Sequence, residues 1–493
     1  MPFPIDFGPD LPFDPIDSSF GSIGGTSVPE PIGGFGGSGR IGAGEISGGS
    51  TSAPIAQAAE QIEEFVAEGG GPLFIVYGEH LIAGNLIVHK FTAGTPNTSI
   101  VFVALGEGQG DGGDVGEWDG ALAVYYAGAS QSVSPNGSTA GYRFYNGFIS
   151  TDVSTGNQPV DAFLTNGLAY SGTAYIAVKL TDAVANAEDR PDKLRGRYKG
   201  RRMLDFGIIG NVNGYGYSTN PARIAADRIL AYYQHKLGDK TQARVKLYNK
   251  VDWEPWRGWA DYNAASISWD NGTSTVSIPR FEGHMAFTQD AILADALDQI
   301  CATAGAFWQD DGEQIIFLAP IDRTPVHHFD ESNIVAGSVS IQPRDLRERP
   351  NYFIAEFRDI DDPFLGMTSV EIRREALIKQ VGEIKSVRAL PNMNQSQARR
   401  LLERAARLEA DNPNIISLAG DETSIHLLPG DFVTISHPLG PNGGYQYQLC
   451  LVLEIVLSSA EDAPDTAQFT LQQIDDSIYS DAAHGPRQEA LTP

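Results

Sequence analysis

Phe281 to Pro320 reads FEGHMAFTQDAILADALDQICATAGAFWQDDGEQIIFLAP, and this stretch decides the fold class. Its local signals order themselves as a strand, a capped helix and a tight hairpin. Thr288 stands where an N-cap belongs, and Asp290 follows in the first turn, where the helix dipole favours a negative charge. Ile292, Leu293, Ala296, Leu297, Ile300, Cys301 and Ala304 share one face at the 3.6-residue period, so that face is expected to be core. Gly305 takes the position past the last turn that glycine prefers. Ala306–Gln309 and Gln314–Ala319 flank Asp310-Asp311-Gly312-Glu313, whose Asp-Gly pair predicts a hairpin.

Upstream, Leu73–Leu204 reads as β structure. Strand-like runs occur at Leu73–Tyr77, Leu86–Val88, Ser99–Leu105, Ala121–Tyr126 and Ala174–Leu180, separated by turn-rich segments. A helix follows from Pro221 to His235, with proline in its first turn and Ala222, Ala225, Ala226, Ile229, Tyr232 and Tyr233 on one face. Downstream come strands around Tyr352–Phe357 and a long helix from Gln395 to Ala410. Asn394 with Gln397 gives that helix a capping-box-like start. Ala398, Leu401, Leu402, Ala405 and Leu408 form its apolar side, and Arg399, Arg400, Arg404 and Arg407 crowd the other. Such a stripe reads as a solvated face or as a surface for an acidic neighbour. Strands resume after Pro429-Gly430-Asp431. The expected class is α+β, mostly β, and multidomain. The units are an arm with a short helix (1–68), a first β domain (69–205), a mixed α/β domain (206–325), a second β domain with a helix (326–480) and a tail (481–493).

Residues 1–52 are rich in Gly, Pro and Ser, with single aromatics at Phe3, Phe7, Phe13, Phe20 and Phe35. That composition predicts a flexible arm whose spaced anchors gain order by lying across a partner. A short helix is expected at Ala53–Ala67, before the break Gly69-Gly70-Gly71-Pro72.

Composition narrows the function classes. Of 493 residues 42% are apolar and 20% charged, which excludes a wholly disordered chain. A net charge of −27 argues against a surface that grips nucleic-acid phosphates, and suits either simple solubility or a wall past which DNA slides. Cys301 and Cys450 fall on apolar segments and are expected as inert buried thiols. No apolar run reaches membrane-spanning length, and Met1-Pro2-Phe3-Pro4 lacks the basic start of a signal peptide.

Motifs of chemistry are weak. Gly106-Glu107-Gly108-Gln109-Gly110 follows a strand, but the glycine-rich run after it does not open the helix that a dinucleotide loop requires. Glu107, Asp111 and Asp114 lack calcium-loop spacing and read as a solvated turn. His327 and His328 are adjacent on a strand and point to opposite faces, which makes them poor chelators. Asp359, Asp361 and Asp362 before Pro363 favour chain reversal. No nucleophile elbow, His-Glu-x-x-His or Cys-x-x-Cys occurs, so no catalytic residue, metal or cofactor is assigned.

Several segments, in order, resemble one family. Tyr77-Gly78-Glu79-His80-Leu81-Ile82-Ala83-Gly84-Asn85-Leu86-Ile87-Val88 is similar to its opening strand-turn-strand, with His80-Leu81 where an arginine is common. Val103–Gly108 resembles its "ALGEGEID" segment, although Gln109-Gly110-Asp111 replaces the end. Leu194-Arg195-Gly196-Arg197 through Asp205 resembles "VRGRKVYD", and Asn220-Pro221-Ala222 its "NPA" helix. The Phe281–Pro320 unit, Asp330–Ile334, Arg347–Asn351, the Gln395 helix and Leu428–Val433 follow in sequence. The family is the central tail hub, or tail-tip attachment protein, of long-tailed bacteriophages. The resemblance implies two β-barrel-like tube domains flanking a mixed region, and a homotrimer at the distal end of the tail tube. It implies the distal tail protein, the tape-measure protein and tip or fibre proteins as partners, with passing DNA contacted only transiently and no stable membrane insertion. Location at the virion tail tip, after assembly in the host cytoplasm, goes with it. In this reading Arg399, Arg400, Arg404, Arg407 and the five arm phenylalanines are subunit-interface candidates. The alternatives are a tail-associated cell-wall hydrolase or a receptor-binding adhesin.

Overall fold

The computed structural model describes residues 74–82, 84–92, 98–107, 118–126, 131–135, 140–145, 173–181, 194–206, 212–288, 291–310, 312–319, 324–343, 345–361, 367–411, 414–440, 443–458, 466–475 and 478–479. The arm with Phe3, Phe7, Phe13, Phe20 and Phe35, the helix expected at Ala53–Ala67, the turn holding Asp111 and Asp114, and the tail lie outside the described residues.

Among the described residues the first region is β. Its strands are β1 (Phe74–Tyr77), β2 (Glu79–Ile82), β3 (Asn85–Thr92), β4 (Thr98–Glu107), β5 (Trp118–Tyr126), β6 (Gln131–Pro135), β7 (Ala140–Tyr145), β8 (Thr173–Thr181), β9 (Leu194–Arg201), β10 (Met203–Phe206) and β11 (Val212–Gly216). Eight of them form one sheet in the order β2-β9-β5-β6-β7-β8-β4-β3. Val101–Leu105 of β4 and Ala174–Val178 of β8 are buried on both faces, as continuous apolar strands should be. The sheet is two four-stranded halves joined by a short parallel contact, Ser134 to Gly141 and Pro135 to Tyr142. Its two edge strands are consecutive in the chain. Laid flat, eight strands would span about 34 Å, whereas Ile82 and Asn85, three residues apart, are separated by at most about 11 Å. The sheet therefore curls until its edges approach, although no ladder joins β2 to β3.

A helical unit follows: α1 (Pro221–Leu237), α2 (Lys240–Lys250), α3 (Trp253–Ala264), β12 (Ser266–Asp270), β13 (Thr275–Pro279), β14 (Met285–Thr288), α4 (Leu293–Ala304), β15 (Phe307–Asp310) and β16 (Ile315–Leu318). The proline and cap signals act as expected on α1, where Asn220 accepts the Ala222 N–H at 3.0 Å and Gly238 turns left-handed. Asp239 and Asp252 cap α2 and α3, two helices that the hydrophobic period alone does not reveal. α1 is buried between α2, α3, α4 and β10. The Trp256 indole donates to the Ala222 carbonyl at 2.8 Å, and Trp259 stacks on Phe317 at 5.0 Å. β1 stands outside the eight-stranded sheet and pairs with β14, so the two regions share a strand contact.

The deciding stretch needs two corrections. Thr288 ends β14, and α4 begins at Leu293 with Ile292 in the cap position and no side-chain cap. Ile292 is 56% exposed and stands off the core face, whereas Ala296, Leu297, Ile300, Cys301 and Ala304 are buried. Gly305 and the Asp310–Glu313 hairpin are as the residues predict, with the Asp310 carboxylate accepting the Gly312 N–H at 2.9 Å.

The last region holds β17 (His327–Phe329), β18 (Ser340–Pro343), β19 (Tyr352–Arg358), β20 (Met367–Arg373), α5 (Glu375–Val381), β21 (Lys385–Ala389), α6 (Gln395–Ala406), β22 (Asn414–Gly420), β23 (Phe432–His437), β24 (Tyr445–Ser458) and β25 (Thr466–Gln473). Six strands pair as β17-β23-β24-β25-β22-β18, and neither this sheet nor the first closes by hydrogen bonds among the described residues. One face of β23 and β24 places Val433, Ile435, Cys450 and Val452 in a core with Phe329 and Phe469. The other face turns Phe432 and Leu451 toward Phe307, Leu318 and Leu408. Between β18 and β22 the chain inserts the small sheet β20-β19-β21, covered by α6. The helix expected through Ala410 ends at Ala406 and continues as a π turn, Arg407–Asp411. No helix of the described residues is long and apolar enough to cross a membrane.

Candidate functional site

Four segments meet at one polar joint: the Tyr77–His80 corner, the Thr219–Asn220 cap of α1, the Glu282–Met285 run into β14, and the chain from Asn392 through α6. Gly78 makes the corner. Its φ of +72° is left-handed, and any side chain there would collide with the Gly283 carbonyl. The glycine of the Tyr-Gly motif thus lets β1 pair with β14 while β2 departs for the eight-stranded sheet.

Two histidines line the joint. His284 Nδ1 accepts the Glu79 backbone N–H at 3.0 Å, which leaves the proton on Nε2. His80 Nε2 faces the Tyr77 carbonyl at 3.1 Å and so donates, freeing Nδ1 to accept from Asn392 at 3.3 Å. Both rings are buried. Burial holds the His80 pKa down at about 4, with the Arg358 charge adding to the effect. It holds His284 at about 3, helped by His80 and Arg197. Beside them Glu282 accepts from Thr219 Oγ1 at 3.0 Å and from Asn394 at 3.4 Å, and burial raises its pKa. Behind the corner the Tyr77 hydroxyl and Arg201 Nε both donate to one oxygen of Asp227, each at 2.8 Å, in a fully buried group.

α6 closes the joint from the other side. Asn394 caps it by accepting the Gln397 N–H at 2.8 Å. The Gln397 side chain does not return the bond as a capping box would. It accepts the Glu282 N–H at 3.0 Å and donates to the carbonyls of Glu282 at 2.9 Å and Thr303 at 2.8 Å. The Arg400 guanidinium donates to the Arg280 carbonyl and lies 4.7 Å over the Phe281 ring. Arg404 donates to the Gly305 carbonyl at the end of α4, with the rings of Tyr479 and Phe307 at 4.5 and 5.9 Å. Arg407 pairs with Glu403 at 3.2 Å, and Glu403 also holds Arg374 at 3.0 Å. Arg399 is half-buried. Arg400 and Arg404 thus stack on rings and cap carbonyls inside the chain, and Arg407 is held in an ion pair. The joint's hydrogen bonds tie side chains to the backbone and side chains of other segments of the chain, so chemically it is a clamp.

The remaining candidates are dispersed. His327 and His328 do point to opposite faces, one ring 4.7 Å from Phe329, the other bonded to Thr434 at 2.8 Å and stacked on Tyr447. Asp359 accepts the Asp361 N–H at 3.0 Å in the reversal expected there. Cys301 and Cys450 are free and buried, and burial pushes the Cys450 thiol up to about 12. Among the described residues no group of three or more His, Cys, Asp or Glu is placed to hold a metal ion. No motif of the sequence marks His284 or Asp227, and His80 and Gln397 stand out only as parts of the Tyr-Gly motif and of the α6 cap. The available signal was a polar residue at a position where the surrounding period demands an apolar one, as for Asp227 inside α1.

No protein-family model matches the chain, and no curated protein matches it in sequence. Among solved structures, a chain of the virion of a native gene transfer agent particle aligns over 89% of this chain and 95% of its own, with TM-score 0.54 and 16% identity. A tail protein of Neisseria meningitidis MC58 covers 85% of this chain and 100% of its own at 11% identity, with TM-score 0.32. The 43 kDa tail protein of prophage MuSo2 from Shewanella oneidensis covers 81% and 97% at 9% identity, with TM-score 0.28. The last two scores are too low to bear on the fold, and the first speaks to fold alone. This chain is a mostly β, multi-unit protein that shares its fold with a chain of the gene transfer agent virion.

Proposed function

We propose that the chain is a structural protein of a phage-type tail, the hub at its distal tip. The observation that carries this reading is the extent of the fold likeness, which spans nearly the whole of both chains. A likeness over 89% of this chain and 95% of the other is that of a shared virion component, where a borrowed domain would align over a smaller part. The curl that chain connectivity imposes on the first large sheet suits the barrel-like wall of a tube. With the six-stranded sheet as a second wall element, three copies would continue a sixfold tube as a pseudo-sixfold ring. A net charge of −27 suits a lumen that DNA traverses without adhering. The distal tail protein, the tape-measure protein and tip or fibre proteins are the partners this position requires, and opening on host contact is its mechanism.

The test is a reconstruction of the particle that carries this chain. The expected result is three copies at the end of the tail away from the head. Density elsewhere in the particle, or a single copy at the tip, would overturn the reading. A second test concerns residues 1–52, proposed as an assembly arm whose phenylalanines bury against neighbouring subunits. Ordering costs roughly 1–2 kcal/mol per residue, more than so glycine-rich a segment offsets by itself. Deleting it should leave the melting temperature of the subunit unchanged and block tail assembly. An unfolded deletion product or normal particles would each refute that role.

A further inference from the structure

We infer that α2 of one copy docks on the paired loops Asp330–Val335 and Asp421–Ser424 of another copy, through an apolar strip bordered by opposite charges. Ala243, Leu247 and Lys250 face the core, so the outward arc of α2 is centred on Val245, with Tyr248 beside it and Arg244 and Lys246 on its two flanks. Val245 is 49% and Tyr248 44% exposed. These two of the exposed large apolar side chains stand one turn apart on the same helix face, so they are neighbours on the surface.

The charge of this patch is opposite to that of the chain. Lys236, Lys240, Arg244, Lys246 and Lys250 lie between Gln234 and Val251, with Asp239 as the one acid, in a chain of net charge −27. The Asp239 carboxylate is engaged by the Thr241 and Gln242 N–H groups, and Lys250 is held by Asp310 at 3.0 Å. Arg244 and Lys246 are exposed and make no ion pair among the described residues.

A complementary surface exists on the same molecule. The two loops are fused by the Asp421 N–H on the Asn333 carbonyl at 3.0 Å and by the Val335 N–H on the Ala419 carbonyl at 2.8 Å. Asp330 and Asp421 turn oxygens inward to Ser332 and Thr423. Glu331 and Glu422 are exposed without a cation partner among the described residues, and Val335 is 40% exposed. α2 thus offers apolar groups flanked by cations, and the loops offer one flanked by carboxylates. Either surface against itself repels, so the contact is head-to-tail, the kind that closes rings. Only the number of copies in that ring rests on the hub reading.

The test is disulfide trapping in the full chain. The double variant Val245→Cys with Val335→Cys, oxidised at about 0.05 M ionic strength, should give a ladder of cross-linked oligomers, and at about 0.5 M the ladder should weaken severalfold as screening shortens the charge attraction. Cys301 and Cys450 are buried and free, so the parent chain is the blank. Adding Arg244→Glu and Lys246→Glu should cut the ladder at least tenfold, and adding Glu331→Lys and Glu422→Lys to those should restore it. No ladder from a folded double variant overturns the inference, and so does a ladder indifferent to the charge reversals. Retardation of DNA by the parent chain that Arg244→Glu with Lys246→Glu abolishes, without any ladder, would assign the patch to nucleic acid and equally overturn it. A ladder with the chain absent from the tail tip would refute the hub reading and leave the contact standing.

Discussion

α6 and α2 are both rich in cations, yet the molecule uses them in opposite ways. Arg400 and Arg404 of α6 point into the chain, onto Phe281, Phe307 and Tyr479 and onto the carbonyls of Arg280 and Gly305. Arg244 and Lys246 of α2 point out. The sequence leaves the α6 stripe open between a solvated face and a surface for an acidic neighbour, and it does not reveal α2 by its period. What separates them is what stands opposite: α6 meets helix ends and rings, and α2 meets water. A guanidinium is planar and weakly hydrated, so it can stack on a ring and cap a carbonyl together, which an ammonium does poorly. The inward helix contributes stability, and the outward one contributes association. The predictions test that division.

The largest effect belongs to the core that α6 clamps. Leu297 is fully buried in α4, and Leu297→Ala should cost about 2–5 kcal/mol in thermal or denaturant unfolding. A change within about 0.5 kcal/mol would describe a surface site and would deny that α4 is the helix on which α6 rests.

Acid should follow closely. An unfolded histidine titrates near 6.5, whereas His80 and His284 in the fold titrate at about 4 and about 3. Below pH 6.5 the unfolded chain takes up protons that the folded chain refuses, so stability is full above that value and falls as the pH drops toward 4. Each unit of separation is about 1.4 kcal/mol, so at pH 5 the pair costs of order 2–4 kcal/mol. The charges that act on the rings are Arg358 at His80, and Arg197 together with His80 at His284. His284→Gln should flatten the acid limb of the stability curve. An unchanged limb would place the acid sensitivity elsewhere.

The clamp itself comes next. Arg400→Ala strands the Arg280 carbonyl and uncovers the Phe281 ring, for an expected loss of about 1–3 kcal/mol. Arg400→Lys should recover only part of it, because an ammonium cannot both stack and cap. Full recovery by lysine would mean that charge, not the planar fork, holds the joint.

The sequence made some of this visible, for physical reasons. α1 and the Phe307–Leu318 hairpin are encoded locally, in Asn220-Pro221, Gly238 and the Asp310-Gly312 turn, and they occur where those residues predict. α4 is local in its period and in Gly305, but its start was misplaced because Thr288 is taken by the ladder to β1. A cap signal within reach of a strand partner loses to it. The joint was invisible for a different reason. His80, His284, Gln397 and Arg400 are brought together by a strand exchange between β1 and β14 and by an inserted sheet, and no spacing in the chain encodes either. The sequence places Arg400 and Arg404 on one side of α6, but nothing in it tells what that side meets.

The smallest expected change in stability is at α2, and it completes the contrast. Arg244 and Lys246 are exposed and lack ion pairs among the described residues, so Arg244→Ala with Lys246→Ala should move unfolding by less than about 0.5 kcal/mol. Alanine is the better helix former, so any shift should be slightly toward stability. The same pair of substitutions should weaken association of the full chain at low salt, read as a fall in sedimentation coefficient toward that of a single copy. Arg400→Ala should do the reverse, lowering the melting temperature while copies that remain folded still associate. If the α2 variant loses stability to the degree that Arg400→Ala does, its cations are part of the fold, and the division between an inward and an outward basic helix fails.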